Sequence, residues 1–102
     1  MVDITDSVPP VNIEAEEAIL GGILLDPEAY GRVESKISTA MFSLQAHRII
    51  YKVMVELAEK GKPTDLMAVS TRLADLELLD AVNGTNKLGQ LLNRTVSAVN
   101  ID

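Results

Sequence analysis

The stretch that decides the fold is IEAEEAILGGILLDP, which runs from Ile13 to Pro27. Its apolar residues recur at helical spacing, and its acidic residues lie in the first turn, where the helix dipole favours negative charge. Two adjacent glycines, Gly21 and Gly22, stand in the helix interior at a cost of about 2 kcal/mol relative to alanines. They therefore predict a close packing surface. The neighbour is either another helix of the same bundle, which we favour, or an adjacent subunit.

Capping and turn signals divide the rest of the chain into four further helices. A proline at the first helical position, good N-cap residues and the Asn83-Gly84 turn set the boundaries. The predicted helices run from Ile13 to about residue 26, then over about 27–37, 43–60, 65–76 and 85–94. The predicted N-caps are Asn12, Asp26, Ser43, and either Thr64 or Asp65. The chain is therefore predicted to be all-α, a compact orthogonal bundle of about five short helices.

The core of this bundle is predicted to be aliphatic, because the chain has two tyrosines, one phenylalanine and no tryptophan among 47% hydrophobic residues. His47, the only histidine, lies near the apolar face of the third helix and is predicted to pack or hydrogen-bond there. Glu16 and Glu17 diverge around their helix, which predicts a solvated first turn rather than a metal site or a shared proton. The residues predicted to form the core are Leu20, Leu24, Phe42, His47, Ile50, Leu66 and Leu88.

Composition excludes several classes of function. A chain of 102 residues is one domain by size, and fifteen acidic against nine basic residues argue against direct binding of nucleic acid. Cysteine is absent, which excludes disulfides and thiolate metal sites. No signal peptide or membrane span is evident, which predicts a soluble cytoplasmic domain. The segment from Gly84 to Gly89 approaches a phosphate-binding loop but lacks its Lys-Ser/Thr pair, so we predict no cofactor, metal or catalytic site.

Five motifs in order carry a family resemblance. They are E-A-E-x-x-x-L-G-G-x-L-L-D at 14–26, F-x-x-x-x-H-x-x-I-Y at 42–51, G-K-P-T-D-L at 61–66, V-N-G at 82–84 with Leu88, and T-V-S-A-V-N-I at 95–101. Together they resemble the N-terminal domain of bacterial replicative DNA helicases of the DnaB family. The resemblance covers about residues 9–102, nearly the whole chain.

Residues 1–11 are predicted to form a flexible arm, because the start of the chain is polar and contains Pro9-Pro10. The resemblance implies a globular head over 12–96 and the start of a further helical element over 97–102. In that family a helical hairpin, absent here, and an ATPase domain that uses ATP and Mg²⁺ follow the head. The heads pair within a hexameric ring and, with the hairpins, dock the primase DnaG. The implied role is a non-catalytic interaction domain for ring assembly and for docking of primase and helicase loader.

Three positions depart from the family pattern. Lys87 replaces a tyrosine at a position that resembles one used in primase contact, so we treat it as a candidate partner contact. A lysine at this position could equally well pair with an acidic partner or be solvated. Glu77 stands where family members often have glycine, which predicts a locally different turn. Ser43 replaces an aromatic residue.

Two other functions stay open from the sequence. A free-standing helical adaptor or regulator would share the same composition and lack of catalytic motifs. Direct binding of single-stranded DNA by the head is disfavoured by the acidic balance and by the scarcity of aromatic residues on which bases would stack.

Overall fold

The computed structural model describes the backbone of residues 12–99 and the side chains of 12–84 and 86–95. The predicted arm over 1–11 and the last three residues lie outside the described part. Within these residues the fold has five α-helices and two short 3₁₀ turns, at Thr39–Met41 and Asp80–Val82. The helices are α1 (Ile13–Leu25), α2 (Ala29–Val33), α3 (Gln45–Glu59), α4 (Leu66–Asp75) and α5 (Gly84–Val99). The predicted all-α bundle of about five helices is confirmed.

The core lies between α3 and the helices around it. Helix α1 packs along α5 and against α3, while α4 packs against both α3 and α5. Of the residues predicted for the core, all are buried except Leu66, which is only partly buried at the edge. His47 is fully buried. The residues that share the core with them are Ile23, Tyr51, Val53, Met54, Leu57, Val69, Leu73, Val82 and Leu91.

Helix α5 is longer than its sequence pattern predicts. The periodicity of leucines predicts a helix over about 85–94, whereas the helix extends from Gly84 to Val99. Thr95 is a β-branched residue with weak helix propensity, but its hydroxyl donates to the carbonyl of Leu91 and stays within the helix. The predicted domain boundary between residues 96 and 97 falls inside this helix.

The capping predictions have mixed outcomes. Asn12 caps α1 by accepting from the N–H of Ala15 at 3.0 Å. Of the two alternatives for α4, Asp65 is the cap and accepts from the N–H of Ala68, while Thr64 is buried and donates to the carbonyl of Ile23. The prediction for Ser43 is wrong, because α3 begins after Leu44 and has no side-chain cap of its own.

Two helices end in the same left-handed turn with different residues. After α3 the left-handed residue is Gly61, with φ 72°, and after α4 it is Glu77, with φ 59°. In both turns the next N–H bonds back to the fifth residue before it, Lys62 to Leu57 and Leu78 to Leu73. Glu77 thus adopts the conformation that favours glycine, at the position where the family resemblance leads one to expect glycine.

Candidate functional site

Glu16 on α1 lies at the centre of a buried polar cluster. Its Oε2 accepts from the backbone N–H of Ser43 at 2.9 Å and from the Ser43 hydroxyl at 2.8 Å. Its Oε1 lies 2.7 Å from Nδ1 of His47, which donates because a carboxylate has no proton to give. The carboxylate therefore caps the start of α3 from another helix, close to the positive end of that helix dipole.

The protonation of Glu16 follows from this arrangement. Burial raises the pKa of Glu16, but hydrogen bonds from His47 and Ser43 more than offset burial and hold the pKa below its ordinary value. The carboxylate is thus charged and satisfied. The bond requires a proton on Nδ1 of His47. Within the described residues, Nε2 of His47 is buried with no hydrogen-bond partner.

The prediction that Glu16 and Glu17 form a solvated first turn is wrong. The two residues are 8% and 7% exposed, because each carboxylate has partners on a different helix. Their divergence around α1 is what aims one at α3 and the other at α5. Glu16, Ser43 and His47 were each singled out in the sequence. No local pattern predicts that Glu16 meets the other two, which lie 27 and 31 positions further along the chain.

The segment from Ile37 to Ser43, which we name the strap, is held by side chains on both sides. Tyr51 donates its hydroxyl to the carbonyl of Ile37, and burial raises the pKa of Tyr51, which keeps the phenol a donor. Arg48 donates to the carbonyls of Phe42 and Ser43 at 2.9 and 3.0 Å. Glu16 binds the strap from the other side. These side chains therefore pair backbone polar groups of the strap that lie near the core.

Lys87 takes part in a second ion-pair group between α1 and α5. Its Nζ lies 3.1 Å from Oε2 of Glu17, and the two side chains are only 10% and 9% exposed. Arg94 reaches Oε1 of Glu17 at 3.3 Å and the exposed Glu14 at 3.5 Å. The acidic group that pairs with Lys87 is thus in the same chain, and the alternative of simple solvation is wrong.

Gly21 and Gly22 have different surroundings. A Cβ added to Gly21 would clash with the hydroxyl of Thr95 and lie 2.5 Å from the carbonyl oxygen of Leu91, well inside normal contact. A Cβ on Gly22 would meet nothing within 4 Å. The close approach at Gly21 is therefore to α5 of the same bundle.

A third group of charges borders a groove on the side of α4. Arg72 bonds Glu56 at 2.6 Å and Lys60 bonds the same carboxylate at 3.1 Å, and these bonds hold the pKa of Glu56 below its ordinary value. Beside Arg72 the groove encloses about 400 Å³ and includes Met67, whose side chain is 77% exposed. Methionine is among the residues that are enriched in protein interfaces.

The described residues contain no group of three or more histidine, cysteine or acidic residues placed to hold a metal ion. Within the Gly84–Gly89 segment the Lys87 amine is paired with Glu17, a carboxylate that would repel a phosphate group. Among these residues no helix is both long and apolar enough to cross a membrane.

Comparisons with known proteins agree with this architecture. A family described as "DnaB-like helicase N terminal domain" matches residues 8–102. A replicative DNA helicase DnaB of Nostoc sp. is 58% identical over 98% of this chain and 11% of the relative. The replicative DNA helicase DnaC of Bacillus subtilis is 37% identical over 97% of the chain and 22% of the relative.

A solved structure has the same fold. The crystal structure of the N-terminal domain of DnaB helicase from Mycobacterium tuberculosis superposes with a TM-score of 0.80 and is 30% identical in sequence. The match covers 83% of this chain and 59% of that one.

Proposed function

The chain belongs to the DnaB-like helicase N-terminal domain family, and from this premise we propose that it is the non-catalytic interaction head of a hexameric replicative DNA helicase. The observation that carries the proposal is the family match over residues 8–102. The chain spans 11% to 22% of the length of the two relatives described above. ATP-dependent unwinding, with ATP and Mg²⁺, then belongs to the remainder of the full-length parent, and this head supports ring assembly and the docking of primase and loader.

The bundle is suited to this role because it holds its helices rigidly while it leaves apolar groups outside. Ion pairs and hydrogen bonds from Glu16 and Glu17 tie α1 to both α3 and α5. Rigid surfaces bind partners with less loss of conformational entropy. Among the described residues, the large hydrophobic side chains that remain exposed are Leu25, Met41, Leu44, Met67 and Leu76.

Self-association is assigned to the groove beside Met67. Its apolar residues include Leu57 and Pro63, and charged side chains of both signs surround them. An apolar centre with a polar rim is the usual anatomy of a protein interface. We expect the head to pair through this groove when it contributes to the ring.

Light scattering after size-exclusion chromatography tests this role. The head is expected to show a concentration-dependent dimer, and Met67→Glu is expected to shift the population to monomer. Lys52→Glu, at an exposed position on α3, is the matched control and should leave the dimer unchanged. A monomer at all concentrations would count against self-association, and equal effects of both variants would count against the groove.

Primase contact is assigned to the exposed side of α5. Lys87 is nine-tenths buried, so its amine is not free for a partner. The neighbouring polar residues Asn86, Gln90 and Asn93 are exposed and recur at helical spacing along one side. We expect Lys87 to act by holding α5 on α1, and these amides to make the contact.

Calorimetric titration with the C-terminal domain of the primase tests the α5 surface. Replacing the three amides with alanine is expected to weaken binding, whereas Lys52→Ala is expected to leave it unchanged. Undiminished binding by the triple variant would overturn the assignment to α5. No binding by the unsubstituted head would count against the docking role.

A further inference from the structure

A shallow groove of about 150 Å³ lies between the start of α1 and the strap. Ala15, Ile19, Ile37 and Phe42 make most of its wall apolar, and Met41 is 62% exposed at its rim. The one acidic group in the wall, Glu16, already has its partners in Ser43 and His47. The groove thus offers apolar contact and leaves no charge for a ligand to neutralise.

We propose that this groove binds the chain's own segment from Val8 to Val11, V-P-P-V. The segment directly precedes Asn12, which itself lines the groove. Asn12 lines the groove in an extended conformation, with φ −136° and ψ 91°, and is the residue from which α1 begins. Four extended residues reach up to roughly 14 Å, so the segment is long enough to lie over the groove.

The chemistry of V-P-P-V fits this surface. Its two prolines have no N–H, so the segment loses fewer hydrogen bonds to water when it covers an apolar wall. A residue before proline is biased toward extended backbone, which lowers the entropy cost of lying flat. A cavity of about 150 Å³ accommodates a benzene ring, and a proline ring or the side chain of valine is smaller.

The test uses the methyl groups of methionine in the full 102-residue chain. Met54 is fully buried and Met67 is 77% exposed, so their ¹³C-methyl signals calibrate protection from a paramagnetic agent in the solvent. If the segment covers the groove, Met41 is protected nearly as well as Met54. The double variant V8S/V11S is expected to shift the Met41 methyl signal and to make it as accessible as Met67. The same substitution at Val2 is the control and should change neither signal.

Two outcomes would overturn the proposal. In the first, the Met41 methyl group of the unsubstituted chain is as accessible to the paramagnetic agent as that of Met67, and its signal does not shift in V8S/V11S. The other is protection of Met41 that grows with protein concentration and survives V8S/V11S, which would make a second copy the occupant. No residue of the described core is substituted, so circular dichroism melting is expected to show a folded variant in every case.

Discussion

The carboxylate of Glu16 lies 2.7 Å from Nδ1 of His47 and joins the first helix to the third. The same carboxylate accepts two further hydrogen bonds from Ser43, so one side chain satisfies the start of α3 and a buried imidazole together. Together these bonds position the strap that carries Met41.

Glu16→Gln is expected to lower the free energy of unfolding by about 1–3 kcal/mol, because an amide of the same shape cannot accept from all three donors. Urea unfolding at neutral pH measures the change. Glu14→Gln is the control, since Glu14 is 82% exposed and its pair with Arg94 contributes little. A loss no larger than that of the control would show that the cluster does not stabilise the fold.

Stability is expected to fall in acid. The folded-state pKa values of Glu16 and Glu56 are both lowered from 4.5, so the unfolded chain binds more protons near that pH. Their contribution is present above the unfolded-state pKa and is lost as pH falls through the folded-state values, below about pH 4.5. Urea midpoints from pH 7 to pH 3 measure the loss. The urea midpoint should depend less steeply on pH in Glu16→Gln. An unchanged pH dependence would contradict the assignment of part of this loss to Glu16.

The two glycines of α1 are expected to respond in opposite directions to alanine. Gly21→Ala places a methyl group against Leu91 and Thr95 and should destabilise by about 1–3 kcal/mol. Gly22→Ala meets open space and should stabilise by up to about 1 kcal/mol through helix propensity. Thermal unfolding of the two variants side by side checks the sign of each change. Equal effects would mean that α1 does not approach α5 closely.

Glu77→Gly is expected to stabilise by about 0.5–1 kcal/mol, because a non-glycine residue in the left-handed region costs more than the entropy that glycine loses on folding. The matched variant is Gly61→Ala in the equivalent turn after α3, which should destabilise by about 1–2 kcal/mol. The midpoints of urea unfolding measure the change in stability of each variant. A destabilising Glu77→Gly would show that this turn does not hold a left-handed residue in solution.

Lys87→Met is expected to destabilise by about 2–4 kcal/mol, because Glu17 would remain buried with only Arg94 as a charged partner. The double variant with Glu17→Met should recover most of that loss, since two apolar side chains replace two buried charges. A double-mutant cycle by urea unfolding measures the coupling. Additive losses would mean that the two side chains do not interact.

The sequence by itself determined the helices and most of their ends. Helical spacing of leucines, the Asn12 cap and the left-handed Asn83-Gly84 turn are local features, and local features set local backbone geometry. The ordered motifs also determined the family. What local signals could not decide was the partner of each charged side chain.

Only the tertiary structure decided that Glu16 and Glu17 are buried, that Ser43 binds across to α1, and that Lys87 is held within the chain. Each of these depends on residues 27 to 70 positions apart, which come together only when α1 packs between α3 and α5. The glycines show the same division. Both stand in one sequence pattern, but packing alone distinguishes Gly21, which α5 closely approaches, from Gly22, which faces open space.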